Sequence, residues 1–229
     1  MPDRGKSVIV FPARVPDGGS FHGLALGCPV PVWALIAAGT AMIGLGGLFV
    51  RGFGDDGFRL ASHLAWRATI LIYVVAIMAS PAGRLIPSGR VKALYRWRHQ
   101  LLWGFCASFG VFLATILIPN IFTLFGPGRG GLTPGMLLFL VFGAGLTSVT
   151  ACAADPRLAL RIGEPVRRAL LVVGLSYFWL AYVLSALSRL SDPGRPDGFY
   201  GLSVGLLVAA LLLLLADRAL GKLGVRQKT

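Results

Sequence analysis

Carboxylates are scarce in this chain, and its apolar stretches hold none. Nine acidic residues stand against twenty-two lysines and arginines in 229 residues. Ion-coupled pumps and transporters use buried acids or histidines as relays, so their absence disfavours that class while leaving an uncoupled facilitator open. Histidine is equally rare: His22, His63 and His99 complete the set. Cysteine is limited to Cys28, Cys106 and Cys152, an odd number without a CxxC spacing. That pattern supplies neither a disulfide framework nor a thiolate metal site, and the three read as small buried hydrophobes. HExxH, GxSxG and a credible Ser/His/Asp set are missing, which argues against hydrolysis. No connection is long enough to hold a second domain, and no basic–aromatic motif points to nucleic acid.

What the chain has instead is apolar length. Mean hydropathy is +0.75, with 55% apolar and 14% charged residues, the composition of a membrane protein. Six runs stand out, at Val30–Val50, Leu64–Ala82, Leu101–Pro119, Leu132–Ala153, Ala169–Leu187 and Tyr200–Ala216. Each approaches the ~20 helical residues that cross a hydrocarbon core. Lipid offers backbone amides no water, so helices satisfy them internally. The sequence therefore predicts an all-α polytopic membrane protein, a six-transmembrane-helix bundle over residues 28–220. A flexible cytoplasmic tail, residues 1–27, precedes it, and a short one, 221–229, follows.

The basic residues set the orientation. Arg4, Lys6 and Arg14 lie in the N-terminal tail, and Arg84, Arg90, Lys92, Arg96 and Arg98 in the second connection. Arg157, Arg161, Arg167 and Arg168 occupy the fourth, and Arg218, Lys222, Arg226 and Lys228 the C-terminal end. All of these fall on one side, leaving Arg51, Arg59, Arg67, Arg129, Arg189 and Arg195 for the other. The positive-inside rule then places both termini in the cytoplasm, in an inner (plasma) membrane. Attraction to anionic headgroups is a by-product. The expected partners are the bilayer and a possible redox protein, with no nucleic acid.

Within the runs, small residues dominate the first span, among them Gly39, Gly44, Gly46 and Gly47, and the sixth opens with Gly201 and Gly205. Both patterns suit close helix packing. Thr147 and Ser148 end the fourth span, where they serve packing or hydrogen-bond across helices or to a ligand. In the fifth, Ser176, Trp179, Tyr182, Ser185 and Ser188 recur every third residue. A three-residue step falls ~60° short of a helical turn, so two or three of them at most share one cavity. Asp155-Pro156 and Glu164-Pro165 bracket a short segment that reads as a helical turn. Arg67 is the one ionisable residue at membrane depth, one turn inside the second span. It follows Arg59 and His63 at four-residue steps, on one helix face. That face either snorkels to outer headgroups or forms a rim for an anionic group such as a propionate, a lipid phosphate or a quinone-like head.

A family pattern emerges from the second span onward. Trp66-Arg67-Ala68 opens a run that closes in Ser80-Pro81-Ala82-Gly83-Arg84-Leu85, and a basic loop follows. Arg98-His99-Gln100-Leu101-Leu102-Trp103 opens the third span, Leu146-Thr147-Ser148 ends the fourth, and Arg167-Arg168 precedes the fifth. The last span runs from Phe199-Tyr200 to Asp217-Arg218. From about Leu60 to Arg218 the chain resembles the ferric reductase-like transmembrane domain, in particular the haem-binding membrane subunit that serves bacterial periplasmic methionine sulfoxide reductase. The resemblance implies a bundle in which histidine pairs ligate b-type haem and electrons cross the membrane. Here the family's third-span histidine position falls at about Phe112, and the fifth span, Ala169–Leu190, contains no histidine. His63 and His99 lie at opposite ends of their spans, roughly 30 Å apart across the hydrocarbon, too far to share an iron. No cofactor is therefore expected, although haem b is what the resemblance implies.

Three functions follow. The first is a haem-deficient relative acting through a partner or a lipid-like molecule. The second is an electron-transfer subunit using a quinone, a flavin or haem held by a partner, with Arg59, His63 and Arg67 as its outer rim. The third is an uncoupled transporter of an apolar small molecule, its path lined by the first span and Thr147/Ser148.

Overall fold

A computed structural model describes residues 30–86, 88–124, 134–155, 161–191 and 198–222. Among them are seven α-helices and no strand. In chain order these are α1 (Val32–Arg51), α2 (Asp55–Leu85), α3 (Gly89–Arg96), α4 (Arg98–Leu124), α5 (Pro134–Ala154), α6 (Glu164–Leu190) and α7 (Gly198–Lys222). Both expected tails, Cys28 and the segment after Asp155 lie wholly or largely outside the described residues.

Five helices, α1, α2, α4, α6 and α7, are long and apolar enough to cross a membrane. The fourth expected span appears as α5, whose described apolar part, Leu138–Ala154, is shorter. Large apolar side chains such as Met42, Phe49, Val141, Val173, Leu184 and Leu212 face outward, as a bundle whose solvent is hydrocarbon requires. The chain is thus a multi-pass helical protein suited to a bilayer.

Two boundaries differ from the sequence expectation. Helix α2 begins at Asp55, well before the apolar run at Leu64, and reaches 31 residues, or ~46 Å at 1.5 Å per residue. That exceeds a ~30 Å hydrocarbon core, so its first turns, with Asp55 and Asp56 at the favourable N-terminal end, project beyond it. The basic loop after it contains α3. This short helix alternates Val91, Leu94 and Tyr95 with Lys92 and Arg96, a pattern that lies along an interface. Tyr95 fits there because Gly83 has no Cβ, which would collide with its ring.

Helices α2, α4, α5, α6 and α7 close into a ring, each packed on the next, and α1 docks outside it on both α2 and α4. The α1 interface combines close approach with buried hydroxyls. Gly44 and Gly47 are buried there, and Thr40 Oγ1 meets Ser108 Oγ of α4 at 2.8 Å. Gly39 and Gly46 face open space, as does Gly205 of α7. The small-residue pattern thus overstates how many glycines mediate packing.

The same end of the ring holds Arg84, Arg98, Arg167, Arg168 and Arg218, because antiparallel neighbours return each basic connection to one side. Arg84 and Asp217 join α2 to α7 there at 3.2 Å. Arg84 is largely exposed, and exposed pairs contribute ~0.2–1 kcal/mol. Arg84→Ala is accordingly expected to lower unfolding stability in detergent by less than about 1 kcal/mol; a larger loss would give this pair a role beyond a surface contact.

Candidate functional site

Two places invite chemistry, one at each end of the ring. The outer one is the expected rim of Arg59, His63 and Arg67. These residues follow one another at four-residue steps on α2. Arg59 is exposed, whereas Arg67 is half-buried and reaches across to the start of α7. Its guanidinium lies 5.0 Å from the Phe199 ring centre and 5.8 Å from that of Tyr200. Such cation–π contacts hold a charge against aromatic faces and link α2 to α7. The Arg59 carbonyl accepts a hydrogen bond from Ser62 Oγ at 2.9 Å.

The centre of the ring is filled with aromatic side chains. Trp66 stacks between Phe112 at 4.8 Å and Tyr182 at 4.6 Å. Tyr182 meets Tyr73 at 5.1 Å, and Tyr73 meets Phe105 at the same distance. Phe178 then contacts both Phe105 and Phe109 at 5.0 Å, edge to face, a favoured geometry for ring quadrupoles. The Tyr73 hydroxyl donates to the Leu175 carbonyl of α6. Phe112, where the family resemblance expects a haem ligand, is buried against Trp66, and α6 contributes Phe178 and Tyr182 to the same packing. No group of three or more His, Cys, Asp or Glu among the described residues is placed to hold a metal. These residues do not fit haem: they offer no facing imidazoles, and their rings occupy the space between the helices.

Below this aromatic floor, towards the basic end, the ring opens into a cavity of about 350 Å³. That volume lies within the ~300–1,000 Å³ range of small-molecule sites. Its deep part is lined by Tyr73, Ile77, Leu175 and Trp179, and its mouth by Arg98, His99, Arg167 and Arg218. Arg167 and Trp179 are three helical turns apart on α6, which makes the cavity ~18 Å deep. The wall is otherwise mostly aliphatic, and no carboxylate among the described residues lines it. The nearby acids are already engaged. Asp217 pairs with Arg84, and Glu164 accepts from Arg167 Nη1 at 3.1 Å and Arg168 Nε at 2.9 Å. Arg167 Nε also donates to the Ala153 carbonyl at 2.9 Å, capping an orphan acceptor at the end of α5. His99 lines the mouth with its Nδ1 buried and without a well-aligned hydrogen bond, and the Ala154 backbone lies close to its ring. Cationic guanidinium groups at the mouth of an apolar pocket attract an amphiphile with an anionic end.

Of the five regularly spaced polar residues on α6, Ser176 and Trp179 line this cavity, Tyr182 lies in the aromatic centre, and Ser188 is exposed. The winding of a three-residue step accounts for that division. Thr147 and Ser148 bond back to their own helix, to Gly143 and Ala144 carbonyls at 2.6 and 2.9 Å. With α1 outside the ring, the first span and this pair of hydroxyls do not line a shared path. In the sequence Arg98, Arg167 and Arg218 stand out as topology signals. Their convergence depends on which helices are neighbours, and the one signal available in sequence was their common depth in successive spans. Comparison with protein-family models, with curated proteins and with solved structures finds no match to this chain.

Proposed function

We propose that this chain is a six-span membrane protein of ferric reductase-like arrangement that works without haem, through a lipid-like molecule held in the cavity at its basic end. Helix α5, at 21 residues, rises ~31 Å and completes the sixth crossing of a ~30 Å core. An even number of crossings returns both termini to the basic side, which the positive-inside rule assigns to the cytoplasm of an inner membrane. The observation that carries the reading is the contrast along the ring axis. The middle is packed with rings at the positions where the resemblance implies haem ligands, and the space that remains is an apolar cavity under an arginine rim. Such a site binds and positions a molecule, and it contains no acid or metal set for covalent chemistry.

Two measurements on the purified protein test this. Pyridine haemochrome analysis is expected to show far less than one b-type haem per chain, and a stoichiometric Soret band would overturn the haem-free reading. Solvent extraction followed by mass spectrometry is expected to release about one amphiphile per chain beyond the exchangeable lipid belt. Recovery of none after mild detergent exchange would remove the lipid-like ligand.

A further inference from the structure

We propose that the cavity is a lateral docking site for an anionic glycerophospholipid of the leaflet at the basic end. One acyl chain lies inside the ring and the phosphate rests on Arg98 and Arg218. This rests on the reading that the cavity holds a lipid-like molecule, and it adds the class of lipid, its route and the residues that select it.

The route lies between α6 and α7. Val172 and Ser176 line the cavity and are exposed, while Leu211 and Leu214 across from them are half-buried. Above that level the helices are tied together. Trp179 Nε1 donates to the Leu207 carbonyl at 3.0 Å. The seam is therefore closed at the outer end and parted at the basic end, so the cavity communicates with the acyl region of one leaflet.

Size and charge then select the occupant. A slot of about 350 Å³ that runs ~18 Å along α6 has the length and narrowness for one acyl chain; the second stays in the bilayer. At the mouth, Arg167 is largely committed to the Ala153 carbonyl and Glu164. Arg218 makes no ion pair among the described residues, and Arg98 lies over the Tyr95 ring at 4.3 Å with its edge able to donate. Two guanidinium forks flanking an apolar slot match a phosphodiester, which accepts paired hydrogen bonds. His99, beside them at the mouth with the Ala154 backbone close to its ring, offers a further ring nitrogen to a headgroup oxygen or hydroxyl. Free phosphate satisfies the forks and leaves the aliphatic wall uncovered, and the side opening favours a ligand already in the leaflet.

Native mass spectrometry of the full-length protein in detergent, titrated with dioleoyl phosphatidylglycerol and dioleoyl phosphatidylcholine, tests this. The phosphatidylglycerol complex is expected to be one-to-one and at least tenfold tighter. The double variant Arg98→Gln/Arg218→Gln is expected to weaken it about twentyfold, since each arginine near a membrane surface contributes roughly a fivefold attraction. Lys92→Gln/Arg96→Gln removes the same charge from exposed positions on α3 at the same end and is expected to change affinity less than twofold. Leu211→Trp narrows the slot and is expected to weaken both lipids. Glycerol 3-phosphate is expected not to compete. Equal affinity for the two lipids, equal losses in the two double variants, or full competition by glycerol 3-phosphate would each overturn the inference. Equal affinity that Leu211→Trp abolishes would retire the anionic selectivity alone and leave the lipid-like ligand in place. No one-to-one complex with either lipid, and no effect of Leu211→Trp, would remove both.

Discussion

Replacing Phe178 with alanine is expected to cost about 2–3 kcal/mol of unfolding stability in bicelles or detergent. The side chain is buried on α6 and touches Phe105 and Phe109 of α4 at 5.0 Å each, with Tyr182 at 6.3 Å on its own helix. In a water-soluble core this change costs ~3–5 kcal/mol, transfer and cavity terms together. A membrane bundle unfolds into hydrocarbon, and lipid tails are as apolar as the core, so the transfer term largely drops out. What remains is the lost packing, ~24 cal/mol per Å³ of residual cavity, and a vacated ring leaves about 100 Å³. Steric trapping or an SDS titration would measure it. Phe178→Leu, which keeps most of the volume, is expected to lose less than about 1.5 kcal/mol. A double-mutant cycle with Phe105→Leu should return a coupling of about 0.5–1.5 kcal/mol for the edge-to-face pair. If Phe178→Ala unfolds like the parent, the aromatic centre is not what holds α6 to α4.

The aromatic centre also shows where the sequence was legible and where it was not. Length and hydropathy locate four of the five membrane-length helices to within a turn or two, because the hydrocarbon thickness fixes how long an apolar helix must be. They underestimate α2, since its outer turns are polar and helix propensity there owes nothing to lipid. They miss α3 because an eight-residue amphipathic helix is too short to register against a run of basic residues. The site was less visible still. Arg59, His63 and Arg67 stand out because four-residue spacing is a property of one helix, and yet Arg67 turns out to cover Phe199 and Tyr200 of another. Arg98, His99, Arg167 and Arg218 come from three different helices and converge only when the ring closes. Spacing within a span cannot encode that, because the relevant distance runs between spans. The one site feature that could be read from spacing was negative: the winding of Ser176, Trp179 and Tyr182 around α6 limits how many can face one cavity, and the ring divides them as that limit requires.

The second large effect concerns α1, which joins the ring from outside and is held by α2 and α4 together. Gly47 is buried at its crossing with α2, and a Cβ added there would sit 2.9 Å from the Ala61 nitrogen and 3.0 Å from the Ala61 Cα. Both neighbours are main chain inside a helix, so neither can swing aside, and the helices must separate. Ala61 itself is fully buried and small, which is what permits the close approach in the first place. Gly47→Ala is therefore expected to destabilise the α1 contact by about 1–3 kcal/mol, the usual range for forced overpacking. Gly47→Leu should undock α1 altogether. The Thr40–Ser108 hydroxyl pair, 2.8 Å apart, supplies a reporter on the neighbouring α1–α4 contact. Cysteines placed at those two positions, with Cys28, Cys106 and Cys152 changed to alanine, are expected to cross-link readily under mild oxidation in an otherwise unchanged chain. In the Gly47→Leu background cross-linking should fall at least tenfold, because α1 depends on both α2 and α4 for its place. The corresponding change at Gly46, one residue earlier and facing open space, should leave it intact. Efficient cross-linking in the Gly47→Leu chain would mean that α1 is held by its contact with α4 alone, and that the glycine at the α2 crossing is incidental.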